Sequence, residues 1–290
     1  MSTPGNADTT VFHDGFDGSS LDRGKWPNLY GGGSGNGGAY QWSPDDVHVG
    51  NGELTISMTD HGGWWSAGGV SQGANGQTYG YYEIRAKVDP GQGTSAVIAL
   101  WPTGDHWPPE VDLLETPDGN RQSAAFNNHW DGGGGANYYE SANANVDASQ
   151  WHTYALDWQP DHLTYYVDGR QIYSTTDHVP HEPMSVAMAG YIAKDGENWF
   201  NGGPDASTPR QVNLHVDYVS IAQHAGGTQA GGTQAAASTQ SDTMASAATD
   251  AVAAQTDAGQ VAADPAQPVD WNAIAAQVQA NYEATGHWFL

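Results

Sequence analysis

Apolar and polar positions along most of this chain alternate over short stretches. Leu54-Thr55-Ile56-Ser57-Met58, Tyr81-Tyr82-Glu83-Ile84-Arg85-Ala86-Lys87-Val88 and Thr164-Tyr165-Tyr166-Val167 alternate or run rich in β-branched and aromatic residues, at lengths typical of strands. Clusters of Gly, Pro, Asn and Asp separate such stretches, and Asp168-Gly169, directly after Val167, reads as a hairpin turn. Many short strands without helices between them predict an antiparallel β-sandwich over residues 11–222, not a parallel α/β sheet. Residues 223–268 collapse to Ala, Gly, Thr, Gln and Ser, and Ala225-Gly-Gly-Thr-Gln229 repeats at once as Ala230-Gly-Gly-Thr-Gln234. A flexible, disordered linker is expected there. Beyond Pro268, Trp271, Ala275, Val278 and Tyr282 fall on one face at helical spacing, with Asp270 as N-cap and Gly286 as stop. That pattern predicts a short amphipathic helix over residues 269–290.

Composition narrows the function. The 290 residues include 38 Gly, 12 Trp and 14 Tyr, and 8 Lys+Arg stand against 33 Asp+Glu for a net charge of −25. Glycines and aromatics suit a sheet protein with long turns. The aromatics equally suit a groove that stacks on sugar rings, with core packing as the alternative for each Trp. An acidic field repels nucleic acid and anionic lipid, and a strongly anionic polysaccharide would need clustered Arg or Lys. The expected partner is a neutral or weakly acidic polysaccharide, met by a monomer. No run of about 18 apolar residues exists, so no membrane span is expected. Cys is absent, which removes disulfide and thiolate chemistry. The opening Met1-Ser-Thr-Pro-Gly-Asn6 has neither the basic start nor the apolar stretch of a leader. Secretion is therefore expected to rely on the C-terminal segment as an export or anchoring signal, the alternative being a helix docked on its own domain.

The chemistry concentrates in Trp107-Pro-Pro-Glu110-Val-Asp112-Leu-Leu-Glu115. The prolines allow a strand to begin at Glu110 but not earlier. On a strand Glu110 and Asp112 share a face, while Val111 and Leu113 point to the other. Glu115 has the wrong parity. One extra residue, a β-bulge near Leu113-Leu114, would return it to the face of Glu110 and Asp112. The two Glu would then lie roughly 13 Å apart along the backbone, a gap that long side chains leaning together can close. Paired carboxylates about 5–5.5 Å apart are what a retaining glycosidase needs, one as nucleophile and one as acid/base. An acidic solvent face is the alternative. Trp101 and Trp107, just upstream, offer stacking surfaces that favour the catalytic reading.

On these residues the chain resembles glycoside hydrolase family 16, the laminarinase, lichenase and bacterial exopolysaccharide endo-glycanase group, whose bulged motif Glu-x-Asp-x-x-Glu is matched by Glu110, Asp112 and Glu115. Further ordered matches are Gln77-Thr-Tyr-Gly-Tyr-Tyr-Glu-Ile-Arg-Ala-Lys87, Ala99-Leu-Trp-Pro102, Trp151-His-Thr-Tyr-Ala-Leu-Asp-Trp-Gln-Pro160 with Tyr165-Tyr-Val-Asp-Gly169, and Val216-Asp-Tyr-Val219. The resemblance implies a concanavalin-like jelly roll and retaining endo-β-glucanase activity on β-1,3 and/or β-1,4 linkages, with a succinoglycan-like bacterial polymer as a candidate substrate. It implies Glu110 as nucleophile, Glu115 as general acid/base and Asp112 as the assisting residue. Trp101, Trp107, His129, Trp130 and Asn36 are expected to contact substrate. No cofactor is expected for catalysis. A structural Ca²⁺ is expected on the convex face, held by Asp217 with backbone oxygens near Gly15 and Gly52, since hard oxygen ligands suit calcium. A transglycosylase and a non-catalytic carbohydrate-binding jelly roll are the rival functions.

Overall fold

The computed structural model describes residues 8–133 and 136–224. The expected C-terminal helix and the linker beyond His224 lie outside the described residues. Within them the regular structure is almost entirely strand, arranged as two packed sheets. The first sheet runs, edge to edge, through Asn137–Asn145, Ser123–Asp131, Glu110–Glu115, Thr94–Pro102, Met184–Ile192, Gly69–Ser71 and Asn28–Leu29. The second has Gly80–Val88 and Gln211–Gln223 at its centre, flanked by His152–Trp158 on one side and Glu53–Asp60 on the other. Its described strand pairs are antiparallel except Tyr40–Trp42 with Trp65–Ala67. This is the antiparallel sandwich that the alternation predicted and the jelly roll that the resemblance implied.

The period of two explains the layers. Ile98, Leu100, Val111, Phe126, Val186 and Met188 turn inward from the first sheet, and Leu54, Ile56, Tyr82, Ile84, Leu156, Leu214 and Val216 from the second. All are buried in one core. Each buried side chain of this kind contributes about 1.5–3 kcal/mol relative to exposure. Asp168 and Gly169 form a two-residue hairpin loop between Leu163–Val167 and Arg170–Thr175, with φ of 50° and 74°. Positive φ at both loop positions is the requirement of the turn that matches strand twist.

Candidate active site

The strand Glu110–Glu115 begins where the prolines allow. Its pairing shows how the carboxylates share a face. Glu110 lies opposite His129, Asp112 opposite Asn127 and Glu115 opposite Ala125, so Leu113 and Leu114 together face the single residue Phe126. On the other side Asp112 pairs with Ala99 and Leu114 with Ile98, which makes Leu113 the unpaired residue. That bulge resets the alternation. Both leucines enter the core, at 1% and 0% exposure, and Glu115 joins Glu110 and Asp112 on the face turned away from the second sheet.

The three carboxylates are buried, none more than 1% exposed. Trp107 Nε1 donates to Glu110 Oε2 at 2.9 Å. Asn127 Nδ2 donates to Glu115 Oε2. His129 Nε2 lies 3.3 Å from Asp112 Oδ2, and its Nδ1 lies 3.1 Å from Asn137 Oδ1. The imidazole stacks on Tyr139 with ring centres 5.3 Å apart. Glu110 Oε1 and Asp112 Oδ1 are both buried, and a hydrogen bond links the Glu110 and Asp112 side chains. Burial, then repulsion from Asp112 and Glu115, pushes the Glu110 carboxyl well above the usual carboxylate range, and the Trp107 N–H opposes that rise. Like charges this close cannot all ionise. The cluster therefore retains a proton where an isolated surface carboxylate would have lost it, the condition for one acid and one nucleophile to coexist.

The model of glycosyl hydrolases family 16 matches residues 35–220. The chain belongs to this family. Among its relatives is a β-glucanase of Acetivibrio thermocellus, 29% identical over 210 residues, covering 70% of this chain and 60% of the relative. The chain thus spans less than two thirds of that relative's length. An endo-1,3-1,4-β-glycanase of Rhizobium meliloti is 30% identical over 149 residues, which cover 49% of this chain and 30% of that protein. The fold also matches the laminarinase catalytic domain from Thermotoga maritima, with a TM-score of 0.64 and 21% identity, covering 75% of this chain and 99% of that one.

Not every expected site residue of this family 16 chain stands where the sequence placed it. Trp107 and His129 lie at the carboxylates. Trp101 is 1% exposed, packed with Ala187 under Trp107, and so forms the support of the site rather than an open stacking surface. Trp130 points elsewhere. The alternation that turns His129 toward Asp112 turns Trp130 to the opposite face, where it stacks on His178 at 4.0 Å and 7°. Asn36 is set into its loop. It is 2% exposed, and its Nδ2 donates to Ile192 O at 3.0 Å and Glu197 Oε1 at 2.7 Å, so both amide hydrogens are committed to tying its loop down.

The calcium expectation centres on Asp217. Asp217 Oδ2 accepts from Arg85 Nη1 at 2.6 Å, and that guanidinium packs over the Trp151 ring at 4.9 Å. The pair lies near the surface, with each side chain more than a third exposed, and it engages Oδ2 of the carboxylate. Gly15 borders a cavity of about 280 Å³ shared with Asp14, Asp17, Asp22 and Lys25, where Lys25 Nζ holds Asp14 at 3.0 Å.

Asn127, Asn137 and Tyr139 reach the site without having been expected there. Asn127 was within reach of the sequence, being two positions before His129 on the same strand. Asn137 and Tyr139 come from the next strand, through the pairing of His129 with Tyr139.

Proposed function

We propose that this chain is an endo-acting β-glucanase that cleaves internal β-1,3 and/or β-1,4 glucosidic bonds with net retention. The observation that carries the reading is the bulge at Leu113, which turns Glu110, Asp112 and Glu115 to one face. Glu110 attacks the anomeric carbon while Glu115 gives its proton to the departing glycosidic oxygen. The C–O bond to the leaving sugar breaks as the glycosyl–Glu110 ester forms. Glu115, now ionised, takes a proton from water, whose oxygen attacks the same carbon and releases Glu110. Asp112, held by His129, limits the charge that Glu110 carries between turnovers. The Trp107 N–H stabilises the Glu110 carboxylate as it leaves the ester.

The names of the relatives, β-glucanases and an endo-1,3-1,4-β-glycanase, support β-glucan as the substrate class. The resemblance to exopolysaccharide endo-glycanases keeps a succinoglycan-like polymer among the candidates. The scarcity of Lys and Arg fits a neutral or weakly acidic glycan. No helix of the described residues is long and apolar enough to cross a membrane. We place the action outside the cell, where such polymers are found.

The test is reducing-end release from laminarin, barley mixed-linkage glucan and a succinoglycan-type polymer. Glu110→Gln should lose nearly all turnover, and Glu115→Gln a factor of about 10²–10⁴, with both variants folded. Proton NMR of the first-formed product should show the β-anomer. Near wild-type rates in Glu110→Gln would remove the site assignment, and an α-anomer would remove retention.

A further inference from the structure

Trp64 stands apart from the aromatic side chains that line the carboxylate site. It is 52% exposed, and with Val11 it makes up the exposed large apolar side chains among the described residues. Single exposed apolar residues are ordinary, but the setting of this one is not. Trp64 lies flat on the His61 imidazole, with ring centres 4.1 Å apart and planes 16° from parallel. The two residues close a tight hairpin in which His61 N donates to Trp64 O at 2.9 Å and Gly62 N donates to Asp60 Oδ1 at 2.7 Å. Gly62 and Gly63 have φ of 79° and 136°, backbone that other residues rarely adopt.

Beneath the hairpin a hydrogen-bonded chain fixes the lower ring. His61 Nε2 lies 2.8 Å from Ser66 Oγ, Ser66 Oγ donates to Asp46 Oδ2, and Thr59 Oγ1 donates to Asp46 Oδ1 at 2.7 Å. Ser66 is 1% exposed and Asp46 7%. A buried polar network thus holds an exposed ring in one orientation, which removes the ordering cost a loose Trp would bring to binding. Beside the hairpin turn stands a donor. A Cβ on Gly62 would lie 3.5 Å from Arg210 Nη2, and Arg210 is anchored by Asp60 at 3.7 Å.

The position separates this platform from the carboxylates. Met58 and Ala67 turn into the core, so Thr59 and Ser66 turn to the outer side of the second sheet. Glu110, Asp112 and Glu115 lie on the outer side of the first sheet.

We propose that the His61–Trp64 platform is a surface glycan-binding site, which stacks one glucopyranose ring of a β-glucan on Trp64 and bonds its hydroxyls to Arg210. A flat aromatic ring with an adjacent guanidinium matches the C–H face and hydroxyl rim of a neutral pyranose. In choosing β-glucan as the ligand the proposal rests on the glucanase reading. A polymer held there keeps its remaining length near the cleft and raises the effective substrate concentration.

The test compares wild type, Trp64→Ala and Trp64→Tyr by affinity electrophoresis in laminarin and barley-glucan gels. The same proteins are then assayed on each polymer and on a short laminari-oligosaccharide. Trp64→Ala should lose roughly two- to tenfold in polymer affinity, with a matching rise in polymer KM and unchanged oligosaccharide kcat/KM, and Trp64→Tyr should recover most of it. Equal retardation and polymer KM for all three proteins overturn the proposal. Equal losses on polymer and oligosaccharide also overturn it, since Trp64 would then act through the fold or the cleft. So does a self-association seen by light scattering that Trp64→Ala abolishes, which would make the platform a protein contact. If wild type cleaves neither polymer, the glucanase reading fails, and Trp64-dependent retardation in the gels still decides the platform by itself.

Discussion

Replacing Trp107 with Phe tests the electrostatics of the site directly. The indole N–H donates to Glu110 Oε2 at 2.9 Å, and Phe keeps an aromatic ring while deleting that donor. A hydrogen bond to a charged group is worth about 1.5–3 kcal/mol. It stabilises the ionised carboxylate far more than the neutral acid. At about 1.36 kcal/mol per pKa unit, its loss raises the Glu110 pKa by about one to two units. Glu110 already stands well above the usual carboxylate range, because burial and the neighbouring Asp112 and Glu115 disfavour its charge. In the proposed role of nucleophile Glu110 works only when ionised, so activity should fall as pH drops through its pKa. The acid limb of kcat/KM against pH should therefore move to higher pH by about one to two units in Trp107→Phe, while the plateau above that limb is lowered far less. The assay is initial-rate reducing-end release on a soluble β-glucan from pH 3 to 10. A purely stacking role for Trp107 would instead raise KM equally at every pH. An acid limb that stays in place, or moves to lower pH, refutes the argument that this N–H holds Glu110 ionised.

Two further perturbations follow from the same reasoning. Asn127→Ala removes a donor to Glu115 Oε2 and should lower kcat on a soluble β-glucan in a folded variant, whereas an unchanged kcat would leave Asn127 as packing alone. His215 bridges Glu53 at 3.1 Å and Asp89 at 3.5 Å, and its pKa is raised, chiefly by the hydrogen bond to Asp89, against burial and with help from Glu53. A raised folded pKa gives stability that is fully present below the unfolded value near 6.5 and is lost as pH rises through the folded value. His215→Gln should thus lower Tm at pH 5.5, by no more than about 1 kcal/mol of stability, and the gap to wild type should shrink by pH 9; a gap that is constant with pH would assign the loss to packing.

The sandwich and the carboxylate face were legible because both depend on a local period of two. Leu54–Met58, Tyr81–Val88 and Thr164–Val167 all lie in strands. The mismatch of parity at Glu115 required an extra residue at Leu113-Leu114, and the bulge is there. The same period already opposes Trp130 to His129, since adjacent strand residues cannot share a face.

What depends on pairing between distant segments was not legible. Tyr139 meets His129 only through the register of Asn137–Asn145 against Ser123–Asp131. Arg85 meets Asp217 because Gly80–Val88 and Gln211–Gln223 lie side by side, with a register shift between Val216 and Tyr218, and no local spacing announces that a guanidinium will pair with that carboxylate. Asn36 binds Ile192 and Glu197 across more than 150 residues of chain. The sequence by itself marked the carboxylate cluster and, through the period of two, which neighbours along a strand share a face. Only the tertiary structure decided which strands stand next to one another, and with that which partners set the charge, burial and hydrogen bonding of each group.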